Sequence, residues 1–328
     1  MNFQIIDVEI IIGGDVVKLL QTTSLVRRLP MSHAHFPYWQ DQLSLTIAGH
    51  YGERMVQKFL QEVSVSYALL QNLYTVGSAN SSHEMDCIFI CPHFVLVLEV
   101  KNITGTIDID MDIGQLIRTK TDGTIERFVN PVLQVNRHVR FLNTVLPNIP
   151  VVKGIVFSNK QAYLRNIPKN EPLFHLQRLV PFIEGLVEHF KDDRLDVAKI
   201  YQHLDSLRIS NLLEIRFTSL DFLRGVFCPT CIGRVTMHFQ HGTFICPHCK
   251  LRDKDAHFIA LAEYRLLCGE TITNQAFREW CGVKDRYASN RLLKALPKIG
   301  YNKGTVYEIP EQILSMYRDF VYKTHIKR

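Results

Sequence analysis

The chain has 328 residues, room for two or three cores, and its 46% hydrophobic and 21% charged content is that of a folded globular protein. No apolar run approaches the roughly 20 residues that span a bilayer, and Met1-Asn2-Phe3-Gln4 lacks the basic start of a secretory leader. The expected location is the cytoplasm, where eight cysteines act as metal ligands or buried apolar residues, not disulfides. The net charge of +6 is unevenly placed. From residue 221 onward there are 17 Lys and Arg against 10 Asp and Glu, whereas residues 1–220 hold 21 against 22. A basic tail on a neutral body fits a polyanion partner or simply a solvated surface.

Residues 1–45 read as an N-terminal arm, helical or extended, with strand-like alternation over Ile5 to Val17. A helix is expected over His50 to Val65, where Met55, Phe59, Leu60 and Val63 draw one apolar face. Strands follow at Leu69 to Val76, Met85 to Cys91, Phe94 to Val100 and Thr106 to Ile109. The third is apolar on both faces, as in a buried sheet. Pro131 suits the first turn of a helix carrying Val132, Val135, Val139 and Leu142, and Gly154 to Ser158 is a further strand. Together these imply an α/β core, closed by one or two helices between Leu179 and Leu207.

Glu99 and Lys101 end an otherwise apolar strand and point to the same face. Asp86 opens the neighbouring strand, where antiparallel pairing could bring it beside Glu99. Spacing alone leaves two readings: the strand's exit into solvent, or a pair of carboxylates whose burial is offset by a shared Mg²⁺ or Mn²⁺, with Lys101 serving the attacking water or the developing charge.

Taken in order, His50-Tyr-Gly-Glu53, Met85-Asp86, Glu99-Val-Lys101-Asn102-Ile-Thr-Gly105 and Asn130-Pro131-Val-Leu-Gln134 resemble the nuclease-related domain (NERD) family, placed in the PD-(D/E)XK nuclease-like superfamily. Met85 stands where the superfamily's name has proline. The resemblance implies a mixed sheet flanked by helices. It also implies Asp86 and Glu99 as metal ligands, Lys101 as the catalytic lysine, Glu53 as a further acid, Gln134 near the scissile phosphate and Gly105 as the turn after the active strand.

Cys228-Pro-Thr-Cys231 and Cys246-Pro-His-Cys249 form two C-x2-C knuckles 14 residues apart. Two knuckles complete a tetrahedron around Zn²⁺, and four thiolates leave no open position, so this zinc is expected to be structural. Val235 to Phe239 and Thr243 to Ile245 read as the strands of the ribbon. Cys87, Cys91, Cys268 and Cys281 read as buried apolar residues. Further on, a helix capped by Thr273, a turn at Gly282 and a helix from Asp285 to Leu296 form a helix-turn-helix-like unit, with Tyr287, Leu292, Leu293 and Leu296 partly facing inward and Gly300 to Glu308 expected as a small wing. Lys284, Arg286, Asn290, Arg291 and Lys294 suit phosphates and base edges, though a plain hairpin with a basic solvated face fits the pattern equally.

The expected protein is an α/β PD-(D/E)XK nuclease-like domain (residues 46–220), a four-cysteine zinc ribbon (221–255) and a small helical, winged-helix-like domain (256–328). It would hydrolyse nucleic acid, with DNA favoured, using Mg²⁺ or Mn²⁺. The ribbon is a further surface for protein partners. A non-catalytic nucleic-acid-binding protein on a vestigial nuclease fold is the alternative, and a protein-docking adaptor a third. No phosphate-cradling G-x-x-x-x-G-K-[ST] segment is present.

Overall fold

A computed structural model describes residues 14–77, 81–192, 194–209, 221–231, 234–301 and 304–326. Most of the strand-like stretch from Ile5 to Val17 lies outside them, and from Gly14 the chain is helical. Two helices, α1 (Gly14–Arg28) and α2 (Phe36–Leu60), occupy most of the segment that reads as an arm. The chain divides into two compact units. One holds described residues from 48 to 209, the other residues 16–47 and those from 221 onward. No described helix is long and apolar enough to cross a membrane.

The first unit is built on a mixed five-stranded sheet. Its strands are β1 (Ala68–Val76), β2 (Ser82–Ile90) and β3 (Val95–Lys101), then, after a second sheet formed by β4 (Gly105–Asp110), β5 (Gln115–Thr119) and β6 (Ile125–Val129), β7 (Val151–Phe157). β8 (Ala162–Leu164) joins the second sheet, and β9 (Leu173–His175) closes the first. The orders are β1-β2-β3-β7-β9 and β6-β5-β4-β8. β1, β2 and β3 are antiparallel neighbours, whereas β3, β7 and β9 run parallel.

Helices cover both faces of the main sheet, because its central strands are apolar on both sides. Val56 and Leu60 of α2, with Leu179 and Ile183 of α4 (Leu179–His189), pack on Cys87, Phe89, Leu96 and Leu98. Val132, Val135 and Leu142 of α3 (Pro131–Val145), with Ile200 and Leu204 of α5 (Val197–Ser206), cover Ile88, Val95, Val97 and Ile155. Asn130 caps α3 by accepting from the Val132 N–H at 2.9 Å, and Pro131 takes the first turn as its fixed φ favours.

The β1–β2 pairing carries a kink. Its ladder is regular from Ala68↔Ile90 to Gln71↔Cys87 and resumes at Leu73↔Met85. Between them Asn72 has φ +50°, a left-handed conformation that Asn tolerates better than most residues. Inward alternation therefore slips by one: Leu70 and Leu73, three apart, enter the same core, as do Met85 and Ile88. Arg208 donates to the carbonyls of Asn72 (2.7 Å) and Gln71 (3.1 Å), giving partners to backbone groups at the kink.

In the second unit, β10 (Val226–Phe227), β11 (Thr236–Gln240), β12 (Thr243–Ile245) and β13 (Arg252–Asp253) form a small antiparallel sheet around the cysteines. The chain then runs through α6 (His257–Leu267), β14 (Thr271–Ile272), α7 (Asn274–Cys281), α8 (Arg286–Leu293), β15 (Lys298–Ile299), β16 (Val306–Glu308) and α9 (Gln312–Val321). β14, β16 and β15 make a three-stranded sheet in that order. Thr273 caps α7 and Asp285 caps α8, with Gly282 in the left-handed turn between them at φ +70°. Residues 302–303, at the tip expected as a wing, are outside the described ones.

Two expectations are corrected here. Tyr287 is 79% exposed, because the inward positions of α8 are Ala288, Ser289 and Leu293, and residues 287, 291 and 294 share the opposite face. Cys268 is exposed, since it sits at the end of α6 rather than on its buried stripe; Cys87, Cys91 and Cys281 are buried.

Candidate active site

β3 is a buried run, Val95 to Leu98, ending in Glu99, Val100 and Lys101. Val95 and Val97 enter the core under α3, so alternation sends Glu99 and Lys101 to that face. Glu99 is only 2% exposed. Lys101 Nζ donates to Glu99 Oε1 at 2.6 Å and to Gln134 Oε1 of α3 at 3.4 Å. Glu99 Oε2 is buried without a hydrogen-bond partner among the described residues.

Asp86 arrives from β2. The β2–β3 ladder ends at Cys87↔Leu98, so continued pairing would set Asp86 opposite Glu99. Instead the Asp86 side chain enters the ladder, and its Oδ2 accepts from the Val100 N–H at 2.7 Å. Burial pushes the Asp86 carboxyl well above its usual range and nearby Glu99 adds to this, outweighing Lys101 and the Val100 N–H. Burial likewise raises Glu99 against the pull of Lys101. Burial alone would lower the Lys101 ammonium, but Glu99 and Asp86 hold it above its ordinary value. Glu84 contributes to both carboxylate shifts and had no signal in the sequence beyond its place two residues from Asp86.

Glu53 reaches the sheet from α2. It is buried, and its Oε2 accepts from Asn72 Nδ2 at 3.2 Å, at the kink and across the ladder from Asp86. Burial raises the Cys87 thiol, with Asp86 and then Glu53 adding to it, so both carboxylates act on that side chain. Gly52 allows the helix to come this near: a Cβ there would lie 2.7 Å from Asn102 Cβ and 2.7 Å from Ser158 Oγ. Asn102, one residue beyond β3, donates to the Ala48 carbonyl at 2.6 Å and ties down the same turn of α2. Gly105 has φ +96°, and a Cβ there would meet the Thr119 carbonyl oxygen at 2.5 Å, so this turn after β3 requires glycine.

The four expected cysteines come together. Their sulfurs lie within 4.8 Å of one another, with Cys228 to Cys249 and Cys231 to Cys246 both at 3.6 Å. Sulfurs at tetrahedral corners about 2.3 Å from a zinc ion would be roughly 3.8 Å apart, so the cluster fits a metal of that size. The Cys249 N–H donates to Cys246 Sγ at 3.4 Å. Burial alone would raise the Cys246 thiol, but the N–H groups of Cys249 and His248 bring it down to about 6. His248 is exposed, with Nδ1 3.5 Å from Cys231 Sγ. Lys284, Arg286, Asn290, Arg291 and Lys294 are all exposed on α8 and its flanks, and Asn290 Oδ1 accepts from Asn274 Nδ2 at 2.8 Å. Tyr287 shares the face of Arg291 and Lys294.

Residues 48–158 match the family model of the nuclease-related domain, NERD. The matched span runs from the turn of α2 held by Asn102 to Ser158 after β7, and so contains Glu53, Asp86, Glu99, Lys101 and Gln134. No curated protein and no solved structure matches the chain significantly.

Proposed function

We propose that the chain is a metal-dependent nuclease. Asp86 and Glu99 would hold Mg²⁺ or Mn²⁺, and Lys101, Gln134 and Glu53 would complete the site. The observation that carries this reading is the buried Glu99 Oε2 without a partner, in a cluster where two carboxylates share one ammonium. Hard oxygen donors with excess negative charge suit a small divalent cation. When bound, the ion neutralises these carboxylates and stabilises charge on the phosphoryl oxygens.

The remaining work falls to the chain's own side chains. The Lys101 ammonium has three donors. Two are directed to Glu99 and Gln134, which leaves one for a phosphate oxygen or the attacking water. Gln134 fixes the lysine from α3. Glu53 and Asn72 brace the kink in β1, the strand that pairs with the one carrying Asp86. The net step is hydrolysis: water oxygen bonds to phosphorus, the bond to the leaving oxygen breaks, and that oxygen takes up a proton.

The cysteine cluster is proposed to hold a structural Zn²⁺, its four sulfurs leaving no position for substrate. The order helix, strand, helix, helix, strand, strand from α6 to β16 supports a winged-helix reading. On it, α8 would meet nucleic acid through Lys284, Arg286, Asn290, Arg291 and Lys294, with Tyr287 available to stack on a base. DNA is the favoured substrate.

The test is cutting of supercoiled, linear and single-stranded substrates with Mg²⁺, Mn²⁺ or EDTA, zinc content being checked in every sample. Glu99→Ala and Lys101→Ala should each lose about 100-fold or more. No cutting by the parent protein, with equal gel shifts for all three, would replace this reading with a non-catalytic nucleic-acid-binding protein.

A further inference from the structure

A groove of about 430 Å³, open to solvent, lies between α3 and the ends of β1 and β2. Thr75, His83, Arg137, Arg140, Phe141 and Thr144 contribute to its walls, and no described lining residue is acidic. Arg137 and Arg140 are exposed and stand three residues apart, on one face of the helix. Elsewhere in this unit Arg118, Arg165 and Arg208 each pair with a carboxylate. Among the described residues, neither Arg137 nor Arg140 has such a partner, which is equally so of Arg127 and Arg178; what sets the first two apart is that both line the groove. His83 is held in place, stacked on Phe141 at 4.5 Å and with its Nδ1 3.3 Å from His138 Nδ1. The groove thus carries two guanidinium groups without a carboxylate partner among the described residues.

Its position relative to the site decides what it fits. Gln134, which contacts Lys101, precedes Arg137 by one turn of α3. At 1.5 Å per residue, Arg137 and Arg140 lie about 4.5 and 9 Å further along the axis. One strand of a duplex advances about 3.4 Å per nucleotide along the axis, so separations of this size are those of phosphates within a few nucleotides of the bond at Lys101. Guanidinium forks match the non-bridging oxygens of a phosphodiester.

We propose that this groove is a substrate track: Arg137 and Arg140 bind backbone phosphates flanking the scissile bond. The assignment rests on the nuclease reading for the direction of the strand. They are binding residues and touch none of the reacting atoms.

The experiment measures binding of a fluorescent single-stranded oligonucleotide to full-length, zinc-loaded protein carrying Glu99→Gln, so that no cutting intervenes, over a series of salt concentrations. Adding Arg137→Gln and Arg140→Gln should weaken binding about tenfold. The slope of log affinity on log salt should become shallower by about 1.4, since each lost single-strand contact removes roughly 0.7. Arg137→Lys with Arg140→Lys, which keeps both charges, should retain the slope. In cutting assays without Glu99→Gln, the double glutamine variant should raise KM more than it lowers kcat, whereas Lys101→Ala should do the reverse.

An unchanged affinity and slope in the double glutamine variant would overturn the track, even if Lys101→Ala still abolished cutting. A parent protein that binds no oligonucleotide would also overturn it. Failure of the nuclease reading is separable: the parent would cut nothing, while the slope change would still reveal phosphate contacts at Arg137 and Arg140.

Discussion

Glu263 in the second unit is fully buried between two guanidinium groups. Arg27 Nε donates to Oε1 at 2.6 Å and Arg28 Nε to Oε2 at 2.7 Å. Arg28 is itself fully buried, lying over the rings of Phe227 and Trp280. Burial would raise the Glu263 carboxyl, but Arg28 and Arg27 outweigh it and hold it low. In the first unit the ratio is inverted: Asp86 and Glu99 share Lys101, burial prevails, and Asp86 is driven well above its usual range. The same desolvation acts in both. With two cations per carboxylate, each Glu263 oxygen has its own guanidinium donor; with two carboxylates per cation, the cluster of the first unit lacks positive charge that a ligand can bring. The first arrangement holds a fold together, and the second is what a cation site needs.

The contrast can be broken by substitution. Glu263→Gln leaves the buried Arg28 and the partly buried Arg27 without a counter-charge and should cost about 3–5 kcal/mol, read from denaturant unfolding of the zinc-loaded protein. Gly52→Ala forces α2 off Asn102 and Ser158, and overpacking of this kind costs roughly 1–3 kcal/mol. Its loss of cutting should exceed that of an equally destabilising core truncation far from the site. Asp86→Asn keeps an acceptor for the Val100 N–H while removing a buried charge. Without Mg²⁺ or Mn²⁺ it should stabilise the protein by about 1 kcal/mol, opposite in sign to Glu263→Gln; a loss of stability would erase the distinction between the clusters.

The smallest effect expected is one of pH. His257 is buried beside Phe244, Phe258 and Phe277, and burial lowers it to about 4 against the weaker pull of Asp255. The unfolded chain therefore takes up this proton first, so its contribution is lost as pH falls from about 6.5 towards 4 and is flat above. At pH 6 the loss is about 0.8 kcal/mol. His257→Phe should remove that share of the slope in unfolding measured between pH 7.5 and 5.5.

Much of β3 was legible because its pattern is local. An apolar run that stops at Glu99 and Lys101 announces both the buried sheet and the charged rim, and two knuckles of fixed spacing announce the cysteine cluster. The kink at Asn72 was not legible, since a single left-handed residue leaves no period in the sequence, yet it is what brings Asn72 to Glu53. Arg28 and Glu263 are 235 residues apart, and nothing near either signals the other beyond a lone acid in the apolar helix α6. The second helix was obscured because Tyr38 and Leu45 are exposed and blur its apolar face. Tyr287 was misplaced for a related reason: in a helix of eight residues, one aromatic weighs as much in the pattern as the whole buried stripe.

A cation site at Asp86 and Glu99 is tested most directly by titration of Mn²⁺ into zinc-loaded protein, followed by calorimetry or electron paramagnetic resonance. One added Mn²⁺ site is expected, lost in Glu99→Gln and retained in Arg137→Gln. No Mn²⁺ binding, or equal binding by the parent protein and Glu99→Gln, would contradict the claim that the partnerless Glu99 oxygen marks a cation site.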